Sequence, residues 1–172
     1  MTDAAIRSYR PSDHAAAREL WVELVSEHQS LYGSSTGSGS GSADPGAAFE
    51  EYLTRLDLSG LWVADSPAAG VVGMVGLIMS GRIGEVYPVV VAAAHRRQGV
   101  GRALLDHVAG QARRRSLSRL TINPESRNLS ALRALHAAGY DVLTAVELSM
   151  ELRPGSSDSP AEVDLMGLRF RS

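Results

Sequence analysis

The chain has 172 residues, 44% hydrophobic and 21% charged, a size and balance that suit one folded domain with a sizeable core. Its formal net charge of −2, with every fixed cation an arginine, argues against general nucleic-acid binding. The absence of cysteine excludes structural disulfides, Cys-based zinc sites and an acyl-cysteine intermediate and fits a reducing, cytoplasmic setting, while no apolar run is long enough for a signal core or a bilayer span.

In chain order, Ala4 to Tyr9 predicts a first strand ended by Pro11, with Ser12 as helix N-cap and Asp13 in the first turn. Leu20, Trp21, Leu24, Val25 and Leu31 recur at helical spacing, which predicts an amphipathic helix over 12–32 whose polar side carries Glu19, Glu23, Glu27 and His28. Gly33 stops it. The Gly/Ser-rich segment 33–45 buries too little to offset its ordering entropy and reads as a mobile loop, either a passive linker or a loop that closes over a substrate. A second helix is expected over 46–56, with Phe49, Tyr52, Leu53 and Leu56 on one side.

Leu61 to Ala64 predicts a short strand, Pro67 and Gly70 a turn, Val71 to Met79 a second strand, and Gly81 the turn into Ile83 to Val91. Tight turns favour antiparallel neighbours here. Pro88 cannot donate to a ladder, so a regular strand at this point is excluded; a bulge resolves the conflict, and a harmless sheet edge is the other site proline tolerates. A bulged strand leaves N–H and C=O groups free for an extended amide-bearing ligand to take by strand addition. Before any bulge, alternation places Glu85, Tyr87, Val89 and Val91 on one side.

The turn from Ala92 to Gln98 leads into a helix opened by Gly99-Val100-Gly101, with Val100, Leu104, Leu105, Val108 and Ala112 on its apolar face. Free N–H groups of a first helical turn, the helix dipole, glycines that admit close approach, and Arg96, Arg97 and Arg102 together make an anion cradle. Neither a Walker A loop nor a dinucleotide fingerprint fits the spacing. Leu120 to Ile122 predicts a strand parallel to the central one across this helix, ended by Asn123 and Pro124. Asn128 opens a further helix that Gly139 closes before Tyr140. Val142-Leu143 and 145–152 read as two closing strands. Residues 154–160 are a polar linker, and Val163, Leu165, Leu168 and Phe170 mark a tail that adds an edge strand or packs on a second subunit as a homodimer.

Arg96-x-x-Gly99-x-Gly101, between a Val-rich strand and an amphipathic helix, resembles the acyl-CoA signature of the GNAT-type N-acetyltransferases. Asn128, Ala131 and Gly139 are similar to the family's second signature, with Tyr140 where it has phenylalanine and Leu135 where it has tyrosine. The resemblance covers roughly Ala4 to Leu152. It implies an α/β (α+β) fold: a mixed, mostly antiparallel sheet with helices on both faces and a splayed central parallel strand pair. Residues 1–153 would form this domain and 154–172 the linker and tail. It also implies an acetyl-CoA-dependent N-acetyltransferase that binds acetyl-CoA and a small-molecule or peptide amine, and it calls for no metal, nucleic acid or membrane.

The implied cofactor residues are Val89, Val90, Val91, Arg96, Arg97, Gln98, Gly99, Val100, Gly101, Arg102, Asn123, Asn128 and Ala131, with the pyrophosphate on amides from Gln98 to Arg102. Glu85, eleven positions before Arg96, stands where several members carry a glutamate base acting through water; a carboxylate beside a dry cleft is suited to that task, and a solvated strand-end glutamate is the alternative. The Val89 N–H is the family-like oxyanion donor. With no cysteine, direct attack by the amine in a ternary complex is the simpler route. The family's tyrosine protonates the leaving thiolate, so Leu135 leaves that task to water or Tyr87; His136 points about 100° away around the helix. A thiol pKa of about 8.5 makes loss of the acid tolerable. Glu19, Glu23, Glu27, Glu50 and Glu51 on the two N-terminal helices either line a site for a cationic amine or are solvated faces. The rival class is a non-catalytic acyl-CoA-binding module.

Overall fold

The computed structural model describes residues 3–32, 44–56, 60–148 and 162–171. Five strands, β1 (Ala5–Ser8), β2 (Leu61–Ser66), β3 (Gly70–Ser80), β4 (Ile83–Val91) and β5 (Arg119–Thr121), form one sheet in sequence order. The first three pairings are antiparallel and β4–β5 is parallel, as a crossover helix between those two strands requires. That helix is α3 (Val100–Arg114). Helices α1 (His14–Tyr32) and α2 (Ala47–Arg55) cover one face of the sheet; α3 and α4 (Leu129–Ala137) cover the other.

Because both faces are covered, β3 is apolar almost throughout rather than alternating with polar residues. Met74 and Ile78 face α1 and α2, where they join Trp21, Phe49, Tyr52 and Leu61; Val75 and Leu77 face α3, with Val86, Val100, Leu104 and Val108. The predicted apolar face of α3 is the buried one, residue for residue.

Three expectations are corrected. Ser12 does not cap α1. Residues Pro11–Asp13 form a 3-10 turn, and the buried Asp13 accepts the Arg10 N–H at 2.8 Å while holding the Arg7 guanidinium through both oxygens at 2.7 and 2.9 Å. A carboxylate with a cation in reach outcompetes a neutral hydroxyl for that position. Val142-Leu143 does not form a strand: residues 141–148 carry none, and Val142, Leu143, Val146 and Leu148 are exposed. Apolar alternation makes a strand only where an edge is paired, and β5, only three residues long, offers little to pair with. Residues 149–152 of the last expected strand lie outside the described residues, as do 33–43 of the Gly/Ser-rich segment. Finally, the tail does not extend the main sheet. Strands β6 (Glu162–Leu165) and β7 (Leu168–Arg171) pair with each other as a separate two-stranded sheet around a turn with positive φ at Met166 and Gly167. No helix among the described residues is long and apolar enough to cross a membrane.

Candidate functional site

Pro88 breaks the ladder as its chemistry demands. The β3–β4 register pairs Leu77 with Val86 and Val75 with Val89, so Gly76 alone faces Tyr87 and Pro88. This extra residue exchanges the faces of β4. Tyr87 packs edge-on against Trp21 and Tyr52, with centroids at 5.8 Å in each case, on the α1/α2 side, as alternation requires of Glu85 too. Beyond the bulge, Val89 and Val91 turn to the α3 side and Val90 to the α1/α2 core. The four residues that alternation set on one side are therefore split two and two.

The bulge has its own fastener. The Tyr52 hydroxyl donates to the Tyr87 carbonyl at 2.6 Å. Gly76 makes this approach feasible, since a Cβ there would collide with both the Tyr52 hydroxyl and the Tyr87 carbonyl. Burial, with the charges of Tyr87 and Glu85 adding to it, holds the Tyr52 phenol well above its ordinary pKa. Tyr87 is shifted the same way, first by burial and then by the charges of Glu85 and Glu125. Sequence reasoning missed Tyr52 in this role; the signal was a glycine inside an otherwise apolar strand, directly before a strand containing proline.

Past the bulge the parallel pair opens. β4 matches β5 only at Ile83–Arg119, Gly84–Leu120 and Glu85–Thr121. The Ala92 N–H bonds the Val72 carbonyl at 2.9 Å. Bonded positions alternate in an antiparallel ladder, so Val90 turns its backbone groups to β3, while the N–H groups of Val89 and Val91 face the open edge. Val90 is thus a ladder residue and its amide is not free for a ligand.

At the end of this edge, Gly99 adopts φ +88 as the N-cap of α3, a conformation natural to glycine, and no side chain caps the helix. The first bond of the helix runs from the Ala103 N–H to the Gly99 carbonyl at 3.0 Å, so the amides of the first turn have no acceptor within the helix. Only Val91 Cγ2 lies near a Cβ added at Gly101, at 3.7 Å, so packing within the chain does not demand a glycine there. The three arginines differ. Arg96 turns away from the cradle: its Nε donates to the Val91 carbonyl at 2.9 Å and its Nη1 to Glu27 at 2.5 Å, with Glu23 at 3.8 Å. Arg102 grips Asp106 and the Ala137 carbonyl, tying α3 to the end of α4. Arg97, exposed with φ 63, has no partner among the described residues.

The acidic residues divide likewise. Glu23 and Glu27 hold Arg96, and Glu23 also accepts the Ala93 N–H at 3.1 Å, so part of the expected acceptor lining clamps α1 to the β4–α3 turn. Glu50 meets Arg18 and His14. Glu19 and Glu51 are exposed. Glu85 is exposed on its strand and not enclosed in a dry cleft, which corrects that part of the expectation.

In the second signature, the Asn128 side chain accepts the Ala131 N–H at 3.0 Å, so these two residues form the N-cap of α4, while Asn123 is exposed on the preceding loop. Leu135 is 7% exposed in the α3-side core and offers no proton. Tyr140 joins the same core; its hydroxyl is buried without a hydrogen-bond partner among the described residues, and burial pushes its pKa up to about 12. A free amide edge, an uncapped helix start, a glycine that packing does not need and an orphaned phenol all suit an extended ligand with amides, an anionic end and a polar head. Among the described residues no group of three or more His, Cys, Asp or Glu is placed to hold a metal.

The profile of the Acetyltransferase (GNAT) family matches residues 18–140. No curated protein is similar enough in sequence to match the chain. Among solved structures, an acetyltransferase of the GNAT family from Staphylococcus aureus MU50 aligns with a TM-score of 0.62 at 18% identity, covering 79% of this chain and 83% of that one. The ribosomal-protein-S18-alanine N-acetyltransferase from Escherichia coli aligns with a TM-score of 0.58 at 17% identity, covering 79% and 76%. AAC(6')-Iy, in complex with the bisubstrate analogue CoA-S-monomethyl-acetylneamine, aligns with a TM-score of 0.61 at 14% identity, covering 87% and 99%. At these identities the likeness is one of fold.

Proposed function

The chain belongs to the GNAT acetyltransferase family, and from that premise we propose that it moves an acetyl group from acetyl-CoA to the primary amine of a small molecule or peptide, by direct attack in a ternary complex. The observation that carries this reading is the opening of β4 from β5 past the bulge, with free amides at Val89 and Val91 leading to the uncapped start of α3.

Bound there, acetyl-CoA supplies an activated acyl group as a thioester. Val89 and Val91 pair with the amides of an extended ligand arm, as an added strand would. The Val89 N–H is fixed by the bulge and faces the open edge, where it stabilises the oxyanion that develops on the acyl carbonyl. The amides of the first turn of α3, with Arg97 beside them, receive the pyrophosphate. Arg96 serves by position: clamped by Glu27 and by the Val91 carbonyl, it sets the turn that delivers Gly99. Glu85, on the α1/α2 side with Tyr87, removes the proton of the amine through water. The chain has no cysteine to carry an acyl group.

The test is thiol release from acetyl-CoA across a panel of amines, followed with a thiol reagent against a cysteine-free background. Release that depends on an amine supports the enzyme. Binding of acetyl-CoA without release by any amine supports the non-catalytic module, the reading that the buried Leu135 favours. Glu85→Gln then tests the base: kcat falls by about a hundredfold with acetyl-CoA affinity retained, and an unchanged kcat removes Glu85 from the mechanism.

A further inference from the structure

We propose that the Tyr140 phenol meets the sulfur of the bound acyl-CoA and gives it the proton that the leaving thiolate needs. This rests on the acyl-CoA reading above and adds a catalytic residue to it.

The placement begins with the end of α4. Gly139 takes φ +97, its N–H returns to the His136 carbonyl at 3.0 Å, and the Tyr140 N–H reaches the Leu135 carbonyl at 3.1 Å. This is a Schellman closure, which folds the residue after the glycine back onto the helix's last turn. Tyr140 therefore enters the cluster that contains Leu135, Val86 and Val100, with Val89 and Ile122 at its margin. Val86 and Val89 come from β4, Val100 from the start of α3 and Ile122 from the chain just past β5, the elements that frame the opened strand pair, while Leu135 belongs to α4 itself and the same core extends to Trp62 of β2 and Val75 of β3.

The hydroxyl is the unexplained atom there. It is buried and unpaired among the described residues, and phenylalanine would fill the same ring volume without that cost. A bound ligand would supply the acceptor that the described residues do not. The phenol also stays protonated at neutral pH, because burial holds its pKa near 12, so it arrives as a donor. Of the other buried polar atoms without a hydrogen bond among the described residues, Trp21 Nε1 lies on the opposite face of the sheet with α1 and α2, and His95 Nδ1 lies in the turn between β4 and α3.

In the transfer, the amine nitrogen forms its bond to the acyl carbon, and the carbon–sulfur bond breaks with its electron pair going to sulfur. The phenol proton passes to sulfur as the thiol leaves, and the phenolate takes a proton back from water. The surplus proton of the amine leaves through Glu85 to water. Amine and thioester become amide and thiol, with nothing left over.

CoA itself, the only thiol in a cysteine-free sample, is the probe. Its affinity for the wild type is measured first; no binding would refute the acyl-CoA reading as a whole. With CoA bound, the ultraviolet absorbance of the thiolate is titrated on the wild type and on Tyr140→Phe. A hydrogen bond to the thiolate favours that form, so the thiol on the variant should titrate about one pH unit higher, a tenfold loss of thiolate. CoA affinity should hold and the variant should melt no lower, since the hydroxyl gives up no partner among the described residues. Acetyl transfer to an amine should slow by about a hundredfold. Equal titrations on two proteins that both bind CoA would overturn the proposal while leaving the acyl-CoA site standing.

Discussion

Tyr52→Phe isolates one hydrogen bond on which the geometry of the opened strand pair depends. The variant keeps the ring, which packs at 5.1 Å from Trp21 and 5.8 Å from Tyr87, and removes only the hydroxyl that bonds the Tyr87 carbonyl at 2.6 Å. That carbonyl sits in the register gap opposite Gly76, so the ladder gives it no directly opposed residue to replace the lost donor. Leaving a buried acceptor unpaired costs about 1–3 kcal/mol, and the partial exposure of Tyr87 (39%) places this case at about 1–2 kcal/mol. For a chain of this length that lowers Tm by about 2–8 °C. The assay is thermal unfolding of the wild type and variant, with Tyr9→Phe as control. The Tyr9 hydroxyl makes only a 3.3 Å contact with His14, so its loss should change Tm by roughly a quarter as much or less. Because the bulge also aims the Val89 N–H, Tyr52→Phe should reduce kcat for acetyl transfer more than it raises KM for acetyl-CoA. An unchanged Tm together with an unchanged kcat would show that the bulge holds without this bond.

Two further substitutions probe the frame of the site. Asp13→Asn removes the charge that the Arg7 guanidinium grips at 2.7 and 2.9 Å and should destabilise by about 2–3 kcal/mol near neutral pH. The hydrogen bond from Arg7 is what chiefly holds the Asp13 carboxyl below its ordinary value, so this stability is present above about pH 4 and is lost as pH falls through the lowered pKa. The wild type and Asp13→Asn should therefore converge in stability in acid, and parallel urea curves at every pH would contradict the assignment. Gly99→Ala places a Cβ in open space but at φ +88, so strain alone should cost about 1–2 kcal/mol. It should also weaken acetyl-CoA, read as a smaller ligand-induced rise in Tm; an undiminished rise would detach the start of α3 from ligand binding.

The sequence by itself determined what is local. Turn chemistry at Gly81 and Gly99, the 3.6-residue period of Val100, Leu104, Leu105 and Val108, and the bounds Ile83–Val91 of the central strand needed only neighbours along the chain. Pro88 announced a break in the ladder because its missing N–H is a property of the residue wherever it lies. Tertiary structure decided what depends on partners far away in sequence. Which side of β4 each residue takes was settled by the register gap opposite Gly76, since one inserted residue reverses a period of two. Arg96 turned to Glu27, 69 positions away, because a carboxylate on α1 came within reach of its fork. Val142-Leu143 stayed out of the sheet, since a strand forms only where an edge pairs with it. And only the closing turn of α4 revealed that the Tyr140 hydroxyl lies buried without an acceptor among the described residues, because burial and pairing are properties of the packed chain.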